Sequence, residues 1–215
     1  MKRPKKKSPG FAQLIESESL VAAAWKNGGG STKQIAIHPP VASLEKGDFL
    51  WRLSTAEVTK PGAFSIFPDF DRLLTLVTGD ELVLEFQKIH KSVRPGMVLH
   101  FQGEEPVRSD LPKGPVSDLG LIYDRDQVLA KMSLLEVAKR PRSFALTAPT
   151  VLLFALGGSV TAIAYPGEEE FDLEAGDTLR IGAHVEERLV FLDPGKDSVR
   201  LAAIEIAQVR AKSRG

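Results

Sequence analysis

Charged residues stand inside apolar runs in one stretch of the sequence, from Phe49 to Phe86. Arg52 lies within the run LWRLS, and Asp71 and Arg72 lead directly into LLTLV. A buried charge costs several kcal/mol unless it is paired. We therefore expect this stretch to line a cavity. These residue types favour anion binding, because a guanidinium can bind a carboxylate through two parallel hydrogen bonds.

The two-residue period of a strand places Arg52 and Ser54 on one face, with Ala56 beyond them. If that face lines the interior, a guanidinium projects among small side chains and leaves room for an anionic guest. The alternative is a structural ion pair, and the same alternative holds for Arg72. The carboxylates that could serve are Glu57, Asp71 and Asp118.

A glycine-rich segment, WKNGGGST, spans Trp25–Thr32. It lacks the spacing of a phosphate-binding loop, but its glycines let backbone N–H groups approach a ligand closely. Lys26 and Asn27 favour such a role, which would also involve Gly28 and Gly29. The alternative is a bulge or crossover between strands.

Metal and nucleophile chemistry find little support in the sequence. Cysteine is absent, and no two of the four histidines lie two residues apart in an HxH pair, a common arrangement of metal ligands. We expect neither a metal nor another cofactor. Tyr123 and Arg125, within GLIYDRD, could serve a pocket or lie in a loop. The four histidines are His38, His90, His100 and His184.

Short strand-like runs with frequent turn signals fill most of the chain, which predicts an all-β sandwich or barrel. One short helical turn is expected over Ser19–Trp25. The segments Leu73–Glu85 and Val151–Ile163 align with an offset of 78, which matches Gly79 with Gly157. RPGMVLHF and EAGDTLRI align with an offset of 80. This repetition predicts a bicupin, with two cupin barrels in one chain.

The expected organisation has four parts. Residues 1–10 form a disordered basic tail, 11–128 an N-terminal barrel with the pocket, 129–209 a C-terminal barrel half, and 210–215 a flexible tail. The pair Asp71–Arg72 matches Pro149 and Thr150 in the second repeat, so only the first barrel is expected to carry the site.

Composition excludes several partners. The 215 residues include 28 basic and 28 acidic side chains, so no net charge points to nucleic acid or membrane. The longest apolar run, Val151–Tyr165, is too short to span a bilayer and reads as a hairpin. A cytoplasmic protein is expected, and a homodimer is compatible with the sequence.

Four segments resemble signature segments of the HutD/Ves family: WKNGGGSTKQIA, FLWRLSTAEV, GAFSIFPDFDRLLTLVTG and KGPVSDLGLIYDR. The resemblance implies a bicupin-like fold. It also implies a link to histidine utilisation or stress responses, with no established catalytic activity. Gly120 stands where the family usually has asparagine. By resemblance the matching positions are Trp25, Lys26, Asn27, Gly28 and Gly29, then Trp51, Arg52 and Ser54, then Phe67, Pro68, Asp71 and Arg72.

The sequence thus predicts a metal-free binding or sensing protein for a small anionic, carboxylate-bearing metabolite, which by resemblance could be an intermediate of histidine breakdown. One alternative is a metal-independent isomerase or hydrolase, with Asp71 or Tyr123 as acid or base and Arg52 holding the substrate. Another is a protein-interaction scaffold with a vestigial pocket. Besides the segment matches above, the candidate ligand-binding residues include Asp118, Tyr123 and Arg125.

Overall fold

The computed structural model describes residues 11–182 and 188–209. The expected tails, residues 1–10 and 210–215, lie outside the described residues, as does His184. Within the described ranges the chain forms nineteen strands and one 3₁₀ turn, Ser17–Ser19. The prediction of an all-β protein is confirmed. No helix in these ranges is long and apolar enough to cross a membrane.

The strands follow one another through both described ranges with short connections. They are β1 (Ala12–Ile15), β2 (Ala22–Ala24), β3 (Gly30–His38), β4 (Trp51–Val58), β5 (Gly62–Ala63), β6 (Phe70–Thr78), β7 (Leu82–Glu85), β8 (His90–Val93), β9 (Leu99–Gln102), β10 (Arg108–Asp110), β11 (Val116–Asp124), β12 (Val128–Val137), β13 (Arg142–Ala145), β14 (Thr150–Gly157), β15 (Val160–Tyr165), β16 (Glu169–Leu173), β17 (Thr178–Ile181), β18 (Leu189–Asp193) and β19 (Val199–Gln208).

The described chain divides into two units. The first unit comprises residues 17–134 and 207–209, and the second comprises 11–16, 135–182 and 188–206. The division along the chain falls within β12, whereas the sequence-based boundary lies at its first residues. The second unit also includes β1, which pairs antiparallel with β17.

One strand order occurs twice. The first unit has the sheets β2-β3-β4-β11-β6-β9 and β5-β10-β7-β8. The other two sheets are β1-β17-β14-β19-β12 and β13-β18-β15-β16. Adding eight to each strand number converts β4-β11-β6-β9 into β12-β19-β14-β17, and β5-β10-β7-β8 into β13-β18-β15-β16. Among the described residues these are four separate sheets, and none closes into a barrel, so the two closed barrels stay a prediction.

The repeated turn is shifted by one residue from the sequence alignment. Gly79 has φ of 89° and Gly158 has φ of 83°, so Gly158, not Gly157, is the counterpart of Gly79. Each packs against the first residue of the next long strand: a Cβ on Gly79 would lie 2.7 Å from Val116, and one on Gly158 would lie 3.4 Å from Val199. The sequence alignment is one residue off because it matches Gly79 with the first glycine of the pair Gly157-Gly158. An equivalent bulge precedes the turn in both units, so Leu76 corresponds to Ala155 as Gly79 corresponds to Gly158.

The first unit has its core on the face of β6 that carries Leu74 and Leu76. These side chains pack with Leu82 and Leu84 of β7, which belongs to the other sheet of the unit. We call this side of the six-stranded sheet the inner face. Because side chains alternate along a strand, the residues of β4 and β11, and those of β6 up to Leu76, can be assigned to this inner face or to the opposite, outer face.

The helical turn expected over Ser19–Trp25 is wrong for most of its length. The 3₁₀ turn ends at Ser19, and Ala22–Ala24 form β2, which pairs with residues 31–33 of β3. Three alanines favour helix locally, but the backbone hydrogen bonds offered by β3 outweigh that weak preference.

Candidate functional site

Several polar side chains share the inner face of the six-stranded sheet. Thr32 and Asp124 face inward but accept from Trp25 Nε1 and from the Asp126 and Gln127 N–H groups, and five others form one set. Arg52 and Arg72 both lie across from Ile122 of β11, one on each side, and Ser54 lies across from Gly120. Asp118 and Gly120 share the face with Leu76 and Leu74, their partners on β6. A bulge after Gln34 lets β3 keep that residue opposite Ser54. We call this set the inner polar cluster: Gln34, Arg52, Ser54, Arg72 and Asp118.

Arg52 has no acidic partner among the described residues. It is 8% exposed, its Nε donates to Gln34 Oε1 at 2.9 Å, and its Nη1 donates to Ser54 Oγ at 3.2 Å. Burial lowers the pKa of its guanidinium, because the charged form loses hydration. The ion pairs considered for Arg52 from the sequence are therefore absent from this part of the chain, and its charge is held only by neutral oxygens.

Arg72 lies among aromatic rings. Its guanidinium carbon is 4.7 Å from the ring centre of Phe64, 5.1 Å from that of Phe101 and 5.7 Å from that of Phe67. Such contacts attract a cation through the ring quadrupole. Nη1 donates to the Ser65 carbonyl at 3.3 Å. Burial lowers the Arg72 pKa to about 10, while attraction from Asp118 raises it and repulsion from Arg52 lowers it further.

Asp118 is a buried carboxyl, only 5% exposed. Within the described ranges it accepts no hydrogen bond and forms no ion pair within 4.0 Å. Burial raises its pKa to about 7, although the positive charge of Arg72 acts in the opposite direction. Beside it, a Cβ added to Gly120 would have one described neighbour within 4 Å, Asp118 Oδ1 at 3.6 Å. The inner face therefore has open space next to this carboxyl.

In the second unit the equivalent sheet positions carry apolar side chains that pack in a core. Its ladder places Leu201 opposite Ala155 and Ala203 opposite Leu153, as Asp118 and Gly120 lie opposite Leu76 and Leu74. Val151 takes the place of Arg72. These residues are buried in one apolar core. The topology thus folds without the charges. The sequence alignment pairs Arg72 with Thr150, one position too early, because it matches Gly79 with Gly157 instead of Gly158.

Three of the candidate residues lie outside the inner polar cluster, in an ion network at one end of the sheet. Asp71 Oδ2 is 2.8 Å from His100 Nε2, and Asp71 Oδ1 accepts from Arg125 Nε at 3.0 Å. Arg125 also donates to both carboxylate oxygens of Glu104 and to the Phe70 carbonyl. Alternation puts Asp71 and its cross-strand partner Tyr123 on the outer face, away from Arg72.

Hydrogen bonding, charge pairing and burial together set the pKa values in this network. The hydrogen bond from Arg125 lowers the Glu104 pKa to about 2. Burial and then the charge of Asp71 raise the pKa of Tyr123, whose hydroxyl is 3.5 Å from His100 Nε2. Asp71 already has a partner at each carboxylate oxygen. The network therefore has the features of a structural ion cluster.

The glycine-rich segment forms the hairpin between β2 and β3. The Gly28 N–H donates to the Trp25 carbonyl at 3.0 Å, and the Gly29 N–H donates to Asn27 Oδ1 at 3.0 Å. Trp25 packs on the first unit's core and its Nε1 donates to Thr32 Oγ1 at 2.8 Å. Lys26 is exposed. The backbone N–H groups of Gly28 and Gly29 are thus used within the turn, so a strand connection describes this segment better than a ligand cradle.

Gly30 is the position of the hairpin where a side chain has no room. A Cβ there would lie 2.1 Å from the Glu57 carbonyl oxygen and 3.0 Å from the Trp25 ring. We expect Gly30→Ala to destabilise the protein by at least about 3 kcal/mol in chemical denaturation, since β3 and β4 must separate. Gly28→Ala is the matched control: φ is 66° and no atom lies within 4 Å, so about 1–2 kcal/mol is expected. Equal losses would contradict the close approach.

Sequence reasoning missed the residues that complete each cluster. Gln34 was missed because the bulge between Gln34 and Ala36 breaks the alternation of β3. Phe64 and Phe101 read as ordinary core residues, while Phe67, which was a candidate, does lie against Arg72. His100 and Glu104 come from β9 and the loop after it, and only strand pairing brings them to Asp71 and Arg125. No local signal marks them.

The donor set of the inner face does not suit a cupin-type metal centre. Its described residues offer Asp118 and, at the end of β11, Asp124, whose Oδ1 accepts from the N–H groups of Asp126 and Gln127, but no histidine, whereas such centres use converging histidines and a carboxylate. No group of three or more histidine, aspartate and glutamate side chains in the described ranges could hold a metal ion. The inner face therefore offers arginines for an anion and lacks ligands for a cation.

Comparisons with known proteins agree with the four signature segments. The family model HutD matches residues 17–196. An uncharacterised 21.2 kDa protein in the hutC 3' region of Pseudomonas putida is 31% identical over 175 residues, 79% of this chain and 86% of that protein. Protein Ves of Cronobacter sakazakii is 35% identical over 125 residues, 56% of this chain and 65% of Ves.

Solved structures show the same relationship. HutD from Pseudomonas fluorescens SBW25 is 28% identical and superposes with a TM-score of 0.77. The superposition covers 93% of this chain and 100% of the HutD chain. Vicilin from Solanum melongena, 10% identical, has a TM-score of 0.62 over 94% of this chain and 87% of its own, which shows a shared cupin-like fold alone. Because the HutD family model matches most of the length of this chain, the chain belongs to the HutD family.

Proposed function

We propose that the first unit binds a small carboxylate anion at the inner polar cluster, without a metal, in a sensing or regulatory role. The observation that carries this proposal is the contrast between the two units. At equivalent sheet positions the second unit has Val151 and Leu201, while the first has Arg72 and Asp118. Buried charges that the fold does not need are costly, and functional sites are where such costs are retained.

The charge balance of the cluster favours an anion. Its two guanidinium groups stand with one carboxyl, whose pKa of about 7 leaves it partly neutral near neutral pH. Arg52 uses two N–H donors on neutral oxygens, and Arg72 uses one, out of five on each group. The remaining donors suit the bidentate geometry of a carboxylate. Uncharged ligands would leave this positive charge without a partner.

Family context supports acids of histidine breakdown as the ligands to try first. The relative from P. putida lies in the hutC 3' region, and the P. fluorescens HutD structure is described as a formate condition. Formate is a carboxylate. The repeated two-sheet topology and the vicilin likeness support the further proposal that this chain is a bicupin.

Arg52→Ala tests the proposal. The wild-type protein is screened by thermal shift against small carboxylic acids, including acids with an imidazole ring, and hits are measured by calorimetry. We expect Arg52→Ala to weaken binding of a hit by about 2–5 kcal/mol, the usual cost of removing one partner of a desolvated charge pair. Lys46→Ala, which removes an exposed positive charge from the loop before β4, is the control and should bind like wild type.

Two outcomes would contradict the proposal. If no carboxylate shifts the melting temperature while Arg52→Ala is destabilised by more than about 3 kcal/mol, Arg52 is a structural residue. If Lys46→Ala weakens binding as much as Arg52→Ala, the effect is one of net charge. The enzyme alternative has less support: Asp71 lies on the outer face with both oxygens engaged, so it cannot act on a guest held by Arg52.

A further inference from the structure

Asp118 differs from the other buried carboxyls of the described chain. Glu81 is 8% exposed and accepts two hydrogen bonds from Arg94, at 3.0 and 2.7 Å. Asp177 is 7% exposed and accepts from the Glu174 N–H at 3.0 Å. Asp118 is at least as buried, yet its oxygens have no such partner among the described residues. A buried carboxylate without a hydrogen-bond or ion-pair partner destabilises the folded state unless it is protonated or contacts a ligand.

The geometry brings this carboxyl and the arginine donors to one place. Arg52 Nη1 lies 3.2 Å from Ser54 Oγ, so the guanidinium leans along β4 toward the row of Gly120. Asp118 is the next inward residue along β11, and the missing side chain of Gly120 leaves space between them. A small anion lying over Gly120 would therefore meet Arg52 on one side and Asp118 on the other.

This inference rests on the proposed function: we propose that Asp118 is a specificity-determining residue of the inner site, and that a carboxylate binds there only together with one proton. Two carboxylates in contact repel, so the pair takes up one proton from solvent. Asp118 becomes a carboxylic acid, and its O–H donates to a ligand carboxylate oxygen while Arg52 donates to the ligand from the other side. No bond of the ligand is broken.

The groups that could change this titration are few. On the inner face the charged groups besides Asp118 are Arg52 on β4, Arg72 on β6 and Asp124 at the end of β11, where its Oδ1 accepts from the Asp126 and Gln127 N–H groups. The strand β3 contributes the neutral amide of Gln34. The other sheet of the unit turns Leu82 and Leu84 inward from β7, with Ser109 beside Leu84 on β10. Val93 of β8 joins the same core. The Asp118 pKa of about 7 in the free protein places its transition in an accessible range, well below the Arg72 pKa of about 10.

The test uses formate and propionate as probes, with Kd followed by NMR titration of the full chain from pH 6 to 8.5. The probes stay ionised throughout this range. If only protonated Asp118 accepts the anion, a pKa of about 7 makes wild-type Kd rise about 30-fold from pH 6 to 8.5. Asp118→Asn, whose amide can still donate, should show a Kd that is nearly constant with pH. Asp80→Asn, in an exposed turn, should keep the wild-type slope.

Each alternative result has a separate meaning. A wild-type Kd independent of pH, or a slope retained in Asp118→Asn, overturns the role of Asp118 and leaves carboxylate binding in place. Failure of formate and propionate to bind at pH 6, together with no hit in the wider acid screen, overturns both this inference and the proposed function.

Discussion

Replacing Asp118 with asparagine should stabilise the protein at neutral and alkaline pH and change little in acid. The folded-state pKa of about 7 lies above the ordinary value of 3.8. Well below pH 3.8 the carboxyl is protonated in both states and contributes nothing. As pH rises from 4 to 7 the unfolded chain ionises first, so the folded state loses relative stability. At about pH 8 the loss reaches an upper value of about 4 kcal/mol, which Asp118→Asn should recover.

Urea denaturation of both proteins at pH 4, 6 and 8 checks this expectation. The difference in unfolding free energy should grow with pH and level off above pH 7. Asp80→Asn, in an exposed turn, is the control and should show no comparable growth. A difference of the same size at pH 4 as at pH 8 would mean that asparagine acts through packing or hydrogen bonding and not through the charge.

The second large effect is expected from giving the first unit the residues of the second. In the double variant Arg72→Val with Asp118→Leu, the charged positions take the residues found at Val151 and Leu201. Replacement of buried charges by apolar side chains of similar volume is often stabilising by about 1–4 kcal/mol. We expect a gain of this size at pH 7, with complete loss of carboxylate binding.

Single variants provide the comparison for this experiment. Asp118→Leu alone leaves Arg72 without the carboxyl that attracts it, and Arg72→Val alone leaves Asp118 without the cation that attracts it. Each single variant should therefore be less stable than the double variant. Equal stability of all variants and wild type would contradict the view that the first unit keeps these charges at a cost. Retained binding in the double variant would place the anion elsewhere.

If both results hold, the two units show one topology used in two ways. The second unit is packed with apolar residues for stability, and the first keeps Arg52, Arg72 and Asp118 at some expense of stability. This is the usual exchange of stability for function at a binding site. It also explains why the residues inside apolar strands, and not the glycine-rich turn, mark the site.

The sequence alone determined the fold class, because alternation and turn residues are local features. Strand periods and glycine turns lie within short windows, and the similarity of two such windows about 80 residues apart indicates the repeat. The same alternation placed Arg52 and Ser54 on one face, as the structure has them. It could not choose between Gly157 and Gly158 as the counterpart of Gly79, since two adjacent glycines look alike in sequence and only the backbone shows which one has positive φ.

Only the tertiary structure decided which charges meet. Asp71 and Arg72 are neighbours in sequence, but a strand sends them to opposite faces: Asp71 joins His100 and Arg125, while Arg72 lies among aromatic rings. Asp118 comes to the face of Arg52 through the register of β11 between β4 and β6. Sequence spacing fixes the face on which a side chain lies, whereas partners across strands, and the burial that shifts a pKa, depend on long-range pairing.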